Sequence, residues 1–257
     1  MKRGQISIFI IVGIIIISAI ALTLIFRSGI APEIGKKPET NPNPFLESCI
    51  EDKVKEGIEK ISIQGGYITH SLNKPFKFED EKETIDISYL CYTQSYYVPC
   101  INQEPVLIKH LTDELEEYIS DEVKNCLDGL SLSLDKEGYN VDAKYNGFDV
   151  ALMPKKVSIE LDNKMILTKA GETSIKEDFK VLIPTRFYDL ALVVQEIISQ
   201  EAEYCHFETL GYMLFYPQFD IDKFTTGDST IIYTIEHRDS KERFRFAVRS
   251  CVMPPGF

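Results

Sequence analysis

Six cysteines carry the most definite chemistry in this 257-residue sequence, and they all follow the apolar stretch Ile6–Phe26. No two of them form a Cys-x-x-Cys pair, so the spacings typical of zinc ribbons and thioredoxin-like proteins are absent. An even number of cysteines on one side of a membrane span favours disulfides formed in an oxidising compartment. Scattered buried thiols are the alternative, because free cysteine is common in protein cores. We therefore expect three disulfides among Cys49, Cys91, Cys100, Cys126, Cys205 and Cys251.

Local sequence patterns favour one set of pairings, although the cysteine count alone does not choose among them. Cys91 and Cys100 flank a short loop whose ends a disulfide can join. Cys49 lies at the start of a predicted helix and Cys126 near the end of the next, so antiparallel packing of these helices would bring the two together. Another bridge is expected from the end of a third predicted helix to the end of the chain, between Cys205 and Cys251.

The loop between Cys91 and Cys100 contains Tyr92, Tyr96 and Tyr97, which form a candidate interaction surface. Tyrosine offers a large contact area at a low entropic cost, which suits it to protein interfaces. The alternative is that the rings cover the core and leave only their hydroxyl groups in water. We slightly favour this second interpretation.

No motif for catalysis, cofactor binding or metal binding stands out. The four histidines are far apart, and no His-Glu-x-x-His, Walker loop, Gly-x-Gly-x-x-Gly or Gly-x-Ser-x-Gly pattern is present. The carboxylates between Asp113 and Glu122 suit an exposed helical face but lack the converging oxygens that calcium requires. We therefore expect surface or capping histidines and a non-enzyme without cofactor or metal. A site assembled from distant residues would leave no such motif.

Hydrophobic periodicity predicts three amphipathic helices that would position these residues. Apolar side chains recur at helical spacing over residues 46–61, then over 111–127 after Pro105, and again over 187–205. The paired glycines at 65 and 66 are expected to end the first helix.

Alternating apolar and polar side chains predict strands in the second half of the chain. Residues 139–183 show this pattern, with hairpin turns expected at Asn146-Gly147 and Asp162-Asn163. A closing hairpin is expected over residues 231–248. The fold class is therefore α+β, with amphipathic helices packed on an antiparallel sheet. One basic stripe lies on the closing hairpin and is expected to pair internally: Arg243, Arg245 and Arg249.

The stretch Ile6–Phe26 predicts a single membrane span, because its 21 residues contain no charged side chain. As a helix rising ~1.5 Å per residue it would be about 31 Å long, which matches the hydrocarbon core of a bilayer. Lys2 and Arg3 before the span favour a cytoplasmic N-terminus and an extracellular C-terminal domain. The apolar run is too long for a typical cleaved secretory signal, so an uncleaved signal-anchor in the cell membrane is expected.

These features divide the chain into a tail and transmembrane helix at residues 1–27, a proline-rich linker at 28–44 and an extracellular α+β domain at 45–257. Within the domain we expect a helical part at 45–130 and a sheet-rich part at 131–257. One core shared by both parts is favoured over two separate cores.

The net negative charge of the domain argues against nucleic acids as partners. The chain carries a net charge of −12, but residues 1–43 hold five basic and two acidic residues, which leaves −15 for residues 44–257. A domain this acidic repels phosphate backbones, so nucleic-acid binding is not expected.

The residues Arg3-Gly4-Gln5 resemble the processing site of archaeal class III signals, which type IV pilins and archaellins carry. The resemblance implies cleavage after Gly4 and a span that packs into the core of a filament. Phe9 departs from it, since many pilins carry a glutamate five residues after the cut. A plain anchor is the alternative, because a basic tail before a span serves topology alone.

The segments KRGQISIFIIVGIII and ESCIEDKVKEGIEKISIQGGYI are together similar to uncharacterised single-pass surface proteins of small-genome (DPANN) archaea. This similarity implies an archaeal cell-surface location and brings no known activity with it.

Three functions follow from the sequence. The favoured one is a non-catalytic structural or interaction protein that is anchored in the lipid bilayer and contacts envelope or host-cell surface proteins or copies of itself. The second is a pilin-like filament subunit processed after Gly4. The third is an extracellular enzyme or solute-binding module, which would require a pocket lined by polar groups.

Overall fold

The computed structural model describes residues 42–69, 72–79, 81–177 and 179–254. The predicted span Ile6–Phe26, the processing site at Arg3-Gly4-Gln5 and nearly all of the linker lie outside these residues. None of the helices within the described ranges is long and apolar enough to cross a membrane. The described residues from Pro42 onwards form one compact unit.

The described residues form helices and strands in a mixed α+β fold, as the sequence predicts. The helices are α1 (Asn43–Ile63), α2 (Leu107–Lys136), α3 (Phe187–Tyr204) and α4 (Thr209–Phe215). The strands are β1 (Asn73–Phe76), β2 (Ile85–Tyr92), β3 (Ile101–Asn102), β4 (Asn140–Met153), β5 (Lys156–Lys169), β6 (Glu172–Lys176), β7 (Phe179–Pro184), β8 (Phe219–Thr225), β9 (Ile231–His237) and β10 (Arg243–Arg249).

Helices α1 and α2 pack antiparallel through the apolar stripes that the sequence contains. Helix α1 ends as predicted, because Gly65 and Gly66 both have positive φ angles and the amide of Gly66 donates to the carbonyl of Ile61. At Gly65 a Cβ would lie 2.8 Å from the backbone oxygen of Ser88 in β2, so only glycine fits between the helix end and this strand. Helix α2 begins two residues after Pro105 and continues beyond the predicted stripe to Lys136.

The first sheet has the strand order β1-β2-β10-β9-β8, with β3 also paired to β2. The predicted closing hairpin is β9 and β10, in which Phe246 pairs with Tyr233. Strands β2 and β10 are parallel, whereas the other pairs in this sheet are antiparallel. The sequence did not indicate this parallel pair, which joins segments far apart in the chain.

Two predicted hairpin turns are wrong, because both lie within strands of the second sheet. Asn146-Gly147 and Asp162-Asn163 lie inside the long strands β4 and β5 and face each other across the ladder. Asn146 is left out of the ladder as a bulge, and Gly147 beside it has φ of 143°, so the pair bends a continuous strand instead of ending it. The actual turns follow Met153 and Lys169, where Lys155, Ala170 and Gly171 supply the positive φ angles that tight turns require.

One hydrophobic core joins the helices to both sheets. Helix α3 contacts β9 and β10 of the first sheet and β4 and β5 of the second, and α1 contacts β7 and β10. The single antiparallel sheet of the sequence prediction is therefore two sheets that share this core. The other face of the first sheet carries a small second cluster of Ile87, Tyr89, Ile232 and Ala247, covered in part by Phe76 and Phe78.

Candidate interaction surface

Three disulfides use all six cysteines, and they join the pairs that the sequence favoured: Cys49–Cys126, Cys91–Cys100 and Cys205–Cys251. The bonded residues are 77, 9 and 46 positions apart. In the chain-entropy model, closing loops of these lengths removes about 4.5, 2.6 and 4 kcal/mol of unfolded-state freedom, respectively. The longest loop therefore carries the largest expected contribution to stability.

The disulfides Cys91–Cys100 and Cys205–Cys251 lie close together in the fold. The amide of Cys251 donates to the carbonyl of Val98 at 2.8 Å, and the amide of Tyr97 donates to the carbonyl of Val252 at 3.0 Å. The loop after β2 is thus hydrogen-bonded to the segment after β10, which is bonded in turn to the end of α3. We call residues 92–102, 204–216 and 250–253 together the clamped end.

The predicted tyrosines separate into two environments at the clamped end. Tyr92 is partly buried and packs against Tyr89, with ring centroids 5.0 Å apart, so it covers apolar surface. Tyr96 and Tyr97 remain 45% and 58% exposed. The covering role that we favoured from the sequence therefore holds for Tyr92 and is wrong for Tyr96 and Tyr97.

Further apolar side chains at the clamped end are exposed beside these two tyrosines. Tyr204 adjoins Cys205, Ile101 adjoins Cys100, and Met253 follows the segment that pairs with the tyrosine loop. Large clusters of exposed apolar side chains on soluble domains mark contact sites. We define the tyrosine surface by its exposed members: Tyr96, Tyr97, Val98, Ile101, Tyr204 and Met253.

Helix α4, which the sequence did not predict, extends the exposed apolar area of the clamped end. Leu214 and Phe215 are each 83% exposed, and no residue of this helix is fully buried. Tyr212 fixes the helix by packing on Phe207, with ring centroids 5.4 Å apart. The run Leu210–Phe215 is apolar on nearly every position, and this signal could have indicated the helix.

Glu201 is a buried carboxylate directly beneath the clamped end. One carboxylate oxygen accepts hydrogen bonds from the hydroxyl of Tyr233 and from Nζ of Lys223, the latter at 3.4 Å. Burial and the nearby Glu201 charge raise the pKa of Tyr233, so the phenol remains a donor. The backbone carbonyl of Glu201 accepts from the hydroxyl of Ser250, which ties α3 to the residue before Cys251.

The one group of cysteine and carboxylate side chains close enough to hold a metal, among the described residues, is Cys49, Glu122 and Cys126. Its two sulfur atoms are joined in a disulfide. Zinc binds thiolates, so the group offers no sulfur ligand while the bond is intact.

The described histidines stay apart, and each lies at the surface or hydrogen-bonds to the backbone. His206 is exposed and His110 bonds through its ring to the carbonyl of Gly66, as a capping residue does. His237 is buried, and its Nδ1 accepts from the backbone amide of Ser240 at 3.3 Å, so it caps the turn between β9 and β10.

No protein-family model matches the chain, and no curated protein matches it.

Proposed function

We propose that this chain is a membrane-anchored cell-surface protein whose disulfide-stabilised domain contacts other proteins and does not catalyse a reaction. The anchor is the apolar stretch Ile6–Phe26, and the domain faces the cell exterior. The partners are envelope or host-cell surface proteins or further copies of the chain. Three disulfides support an oxidising location, because such bonds are rare where thiols are kept reduced.

The tyrosine surface is the observation that carries the interaction role. Exposed aromatic rings contribute little to folding in water, yet here two disulfides hold them in one place. Tyrosine and methionine are enriched where proteins meet. A surface of this kind, fixed before a partner arrives, lowers the entropic cost of association.

The position of the tyrosine surface also suits contact with a partner. The chain enters the domain at Pro42, where Phe45 lies beside Gly129 near the end of α2. The tyrosine loop leads through β3 into the opposite end of α2, at Leu107. These two points on α2 are about 33 Å apart at 1.5 Å per residue. The tether therefore joins the domain away from the proposed contact surface.

Surface labelling on intact cells tests the location. A membrane-impermeant amine reagent is expected to label lysines of the domain on cells that produce the full chain, whereas Lys2 is labelled only after permeabilisation. Labelling of domain lysines only in permeabilised cells would contradict an extracellular domain.

Site-directed photo-crosslinking tests the contact surface. A benzophenone side chain in place of Tyr97 is expected to form adducts with a discrete protein on living cells. The same group in place of Lys144, an exposed residue of β4 outside the clamped end, serves as the control and is expected to form none. Equal adduct formation at both positions, or none at Tyr97, would oppose the proposed surface.

A pilin-like filament subunit is the second candidate, supported by the resemblance at Arg3-Gly4-Gln5. Mass spectrometry of the mature N-terminus separates the two proposals. The anchored protein is expected to begin at Met1 or Lys2, and a chain that begins at Gln5 would favour the filament.

A further inference from the structure

A cavity of about 750 Å³ lies between α1, the end of β7 and the turn that joins β9 to β10. This volume is within the range of sites that bind small molecules. Polar side chains from four separate segments line it, among them Glu59, Ser62, Thr185, Glu242 and Arg245. No motif in the sequence marked this cavity, because its residues are scattered along the chain.

The charge of the cavity differs from that of the domain around it. Its lining holds four basic residues (Lys55, Lys241, Arg243 and Arg245) and three acidic ones (Glu59, Glu81 and Glu242). The balance is slightly positive in a domain that is strongly acidic. Three carboxylates in one small cavity disfavour a ligand with several negative charges, whereas charges of both signs suit a ligand that carries both.

Arg245 is the most buried of the basic residues, with only 4% of its surface exposed. Its Nη1 donates to Glu81 at 2.6 Å, and its guanidinium lies 3.9 Å from the ring centroid of Phe78. Its Nε–H has no hydrogen-bond partner among the described residues. A buried donor without a partner is unfavourable, so a ligand oxygen that reached this atom would satisfy it.

The other basic residues of the cavity already have partners. Lys55 pairs with Glu51 at 2.5 Å, and both Lys241 and Arg243 pair with Glu236, at 2.9 and 2.8 Å. Arg245 is therefore the basic residue of the cavity whose unpartnered donor is buried, whereas the other three are exposed and their spare donors face water. Because Glu81 occupies Nη1, the remaining edge of the guanidinium is formed by Nε and Nη2, whose parallel N–H groups match the two oxygens of a carboxylate.

The acidic residues of the cavity also differ in whether they already have hydrogen-bond or ion-pair partners. Glu242 accepts from the hydroxyl of Thr185 and the amide of Arg186, at 2.6 and 2.7 Å, and Glu81 holds Arg245. Glu59 is exposed on α1 and takes part in no hydrogen bond or ion pair within the described ranges. Its carboxylate is therefore available to a cationic group in the cavity.

We propose that this cavity binds a small zwitterion of the amino-acid class. The ligand carboxylate lies against the Nε edge of Arg245, and its ammonium group faces Glu59. This site is separate from the tyrosine surface and does not depend on it.

Side-chain NMR of the full chain in detergent micelles tests the proposal. With ¹⁵N-labelled arginine, the Nε–H signal of Arg245 is identified by its loss in Arg245→Lys. L-Alanine and the dipeptide alanyl-alanine are titrated to ~10 mM, with acetate, methylamine and inorganic phosphate as comparison ligands. We expect the zwitterions to shift the Arg245 signal at lower concentrations than acetate or phosphate does.

Two variants and a matched control complete the test. Glu59→Gln changes an exposed side chain and is expected to weaken zwitterion binding by about tenfold, through loss of one charge-assisted contact. Glu47→Gln, also exposed on α1 but outside the cavity, is expected to bind as the unmodified chain does.

The proposal is wrong if neither zwitterion shifts the Arg245 signal, or if phosphate binds more tightly than both. It is also wrong if Glu59→Gln and Glu47→Gln bind alanine with the same affinity. These results concern the cavity alone, so they leave the crosslinking test of the tyrosine surface unaffected.

Discussion

The helical layer, formed by α1 and α2, and the clamped end are both closed by disulfides, yet the bonds act on different kinds of structure. In the helical layer Cys49–Cys126 joins two helices whose apolar stripes already bury each other. At the clamped end Cys91–Cys100 and Cys205–Cys251 hold segments that expose several large side chains to water, among them Tyr97 and Tyr204. Cys49–Cys126 therefore adds to the packing between two helices. The other two disulfides fix segments whose exposed side chains gain little from packing.

This difference links the helical layer to the stability of the fold and the clamped end to the proposed contact with a partner. Buried leucine and isoleucine stripes lower the free energy of the folded state by removing apolar surface from water. Exposed rings at the clamped end gain little in this way, which is why we propose that they contact a partner. Substitutions should therefore have opposite effects in the two regions: large on unfolding in the helical layer, and large on association at the clamped end.

Removal of the long-range disulfide is expected to have the largest effect on stability. Cys49→Ala combined with Cys126→Ala should lower the free energy of unfolding by up to about 4.5 kcal/mol, because the unfolded chain regains the freedom of a long loop. Urea denaturation monitored by circular dichroism measures this loss. A change below ~1 kcal/mol would show that packing of α1 on α2 makes the bond redundant.

Substitution of a buried leucine in the helical layer and of an exposed leucine at the clamped end compares the effect of each region on stability. Leu115→Ala should destabilise the fold by about 3 kcal/mol, since this fully buried side chain would leave a cavity between α1 and α2. Leu214→Ala on α4 should change stability by less than ~0.5 kcal/mol. Similar losses for the two variants, measured by the same urea titration, would remove the distinction between the regions.

The short disulfide is expected to act locally. Cys91→Ala combined with Cys100→Ala should cost at most about 2.6 kcal/mol, less than loss of the long-range bond. Hydrogen exchange should accelerate mainly in residues 92–102 and leave α2 protected, because few buried contacts hold this loop. Uniform acceleration of exchange across the whole domain would show that this disulfide stabilises the entire fold instead.

The smallest expected effect on stability comes from the surface ion pair Lys74–Asp228. A hydrogen bond from Lys74, at 2.6 Å, lowers the pKa of Asp228 below its ordinary value. The pair therefore stabilises the fold above the unfolded pKa of about 3.8, and this contribution is lost as the pH falls towards the folded value.

Asp228→Asn tests this pair. The substitution should cost less than ~1 kcal/mol at pH 7, because more than half of the Asp228 side chain is exposed, and the cost should shrink in acid. Asp239→Asn, which changes an exposed residue of the β9–β10 turn, is the control and should change stability by less than ~0.5 kcal/mol at pH 7. An Asp228→Asn cost that stays constant down to low pH would contradict the assigned cause.

Local patterns in the sequence were enough to predict the three long helices and the disulfide pairs. Each helical stripe buries one continuous face, and each cysteine pair follows from where the predicted elements begin and end. The turns were misplaced because Asn-Gly is equally compatible with a bulge, and only the pairing of Gly147 with Asp162 decides between the two.

Features that depend on distant segments could not be predicted. The parallel pairing of β2 with β10 joins residues more than 150 positions apart, and no local signal encodes it. The exposure of Tyr96 and Tyr97 depends on which side of the loop faces Val252. The cavity at Arg245 likewise requires segments from α1, β7 and the last hairpin to meet.

The oxidation state of the cysteines in the native protein tests the central claim most directly. The full chain is purified from membranes, denatured without reductant, treated with an alkylating reagent and weighed by mass spectrometry. We expect no alkyl groups before reduction and six after it, with peptide mapping that recovers the pairs Cys49–Cys126, Cys91–Cys100 and Cys205–Cys251. Six alkylated cysteines in the unreduced protein would contradict both the clamped end and the extracellular location.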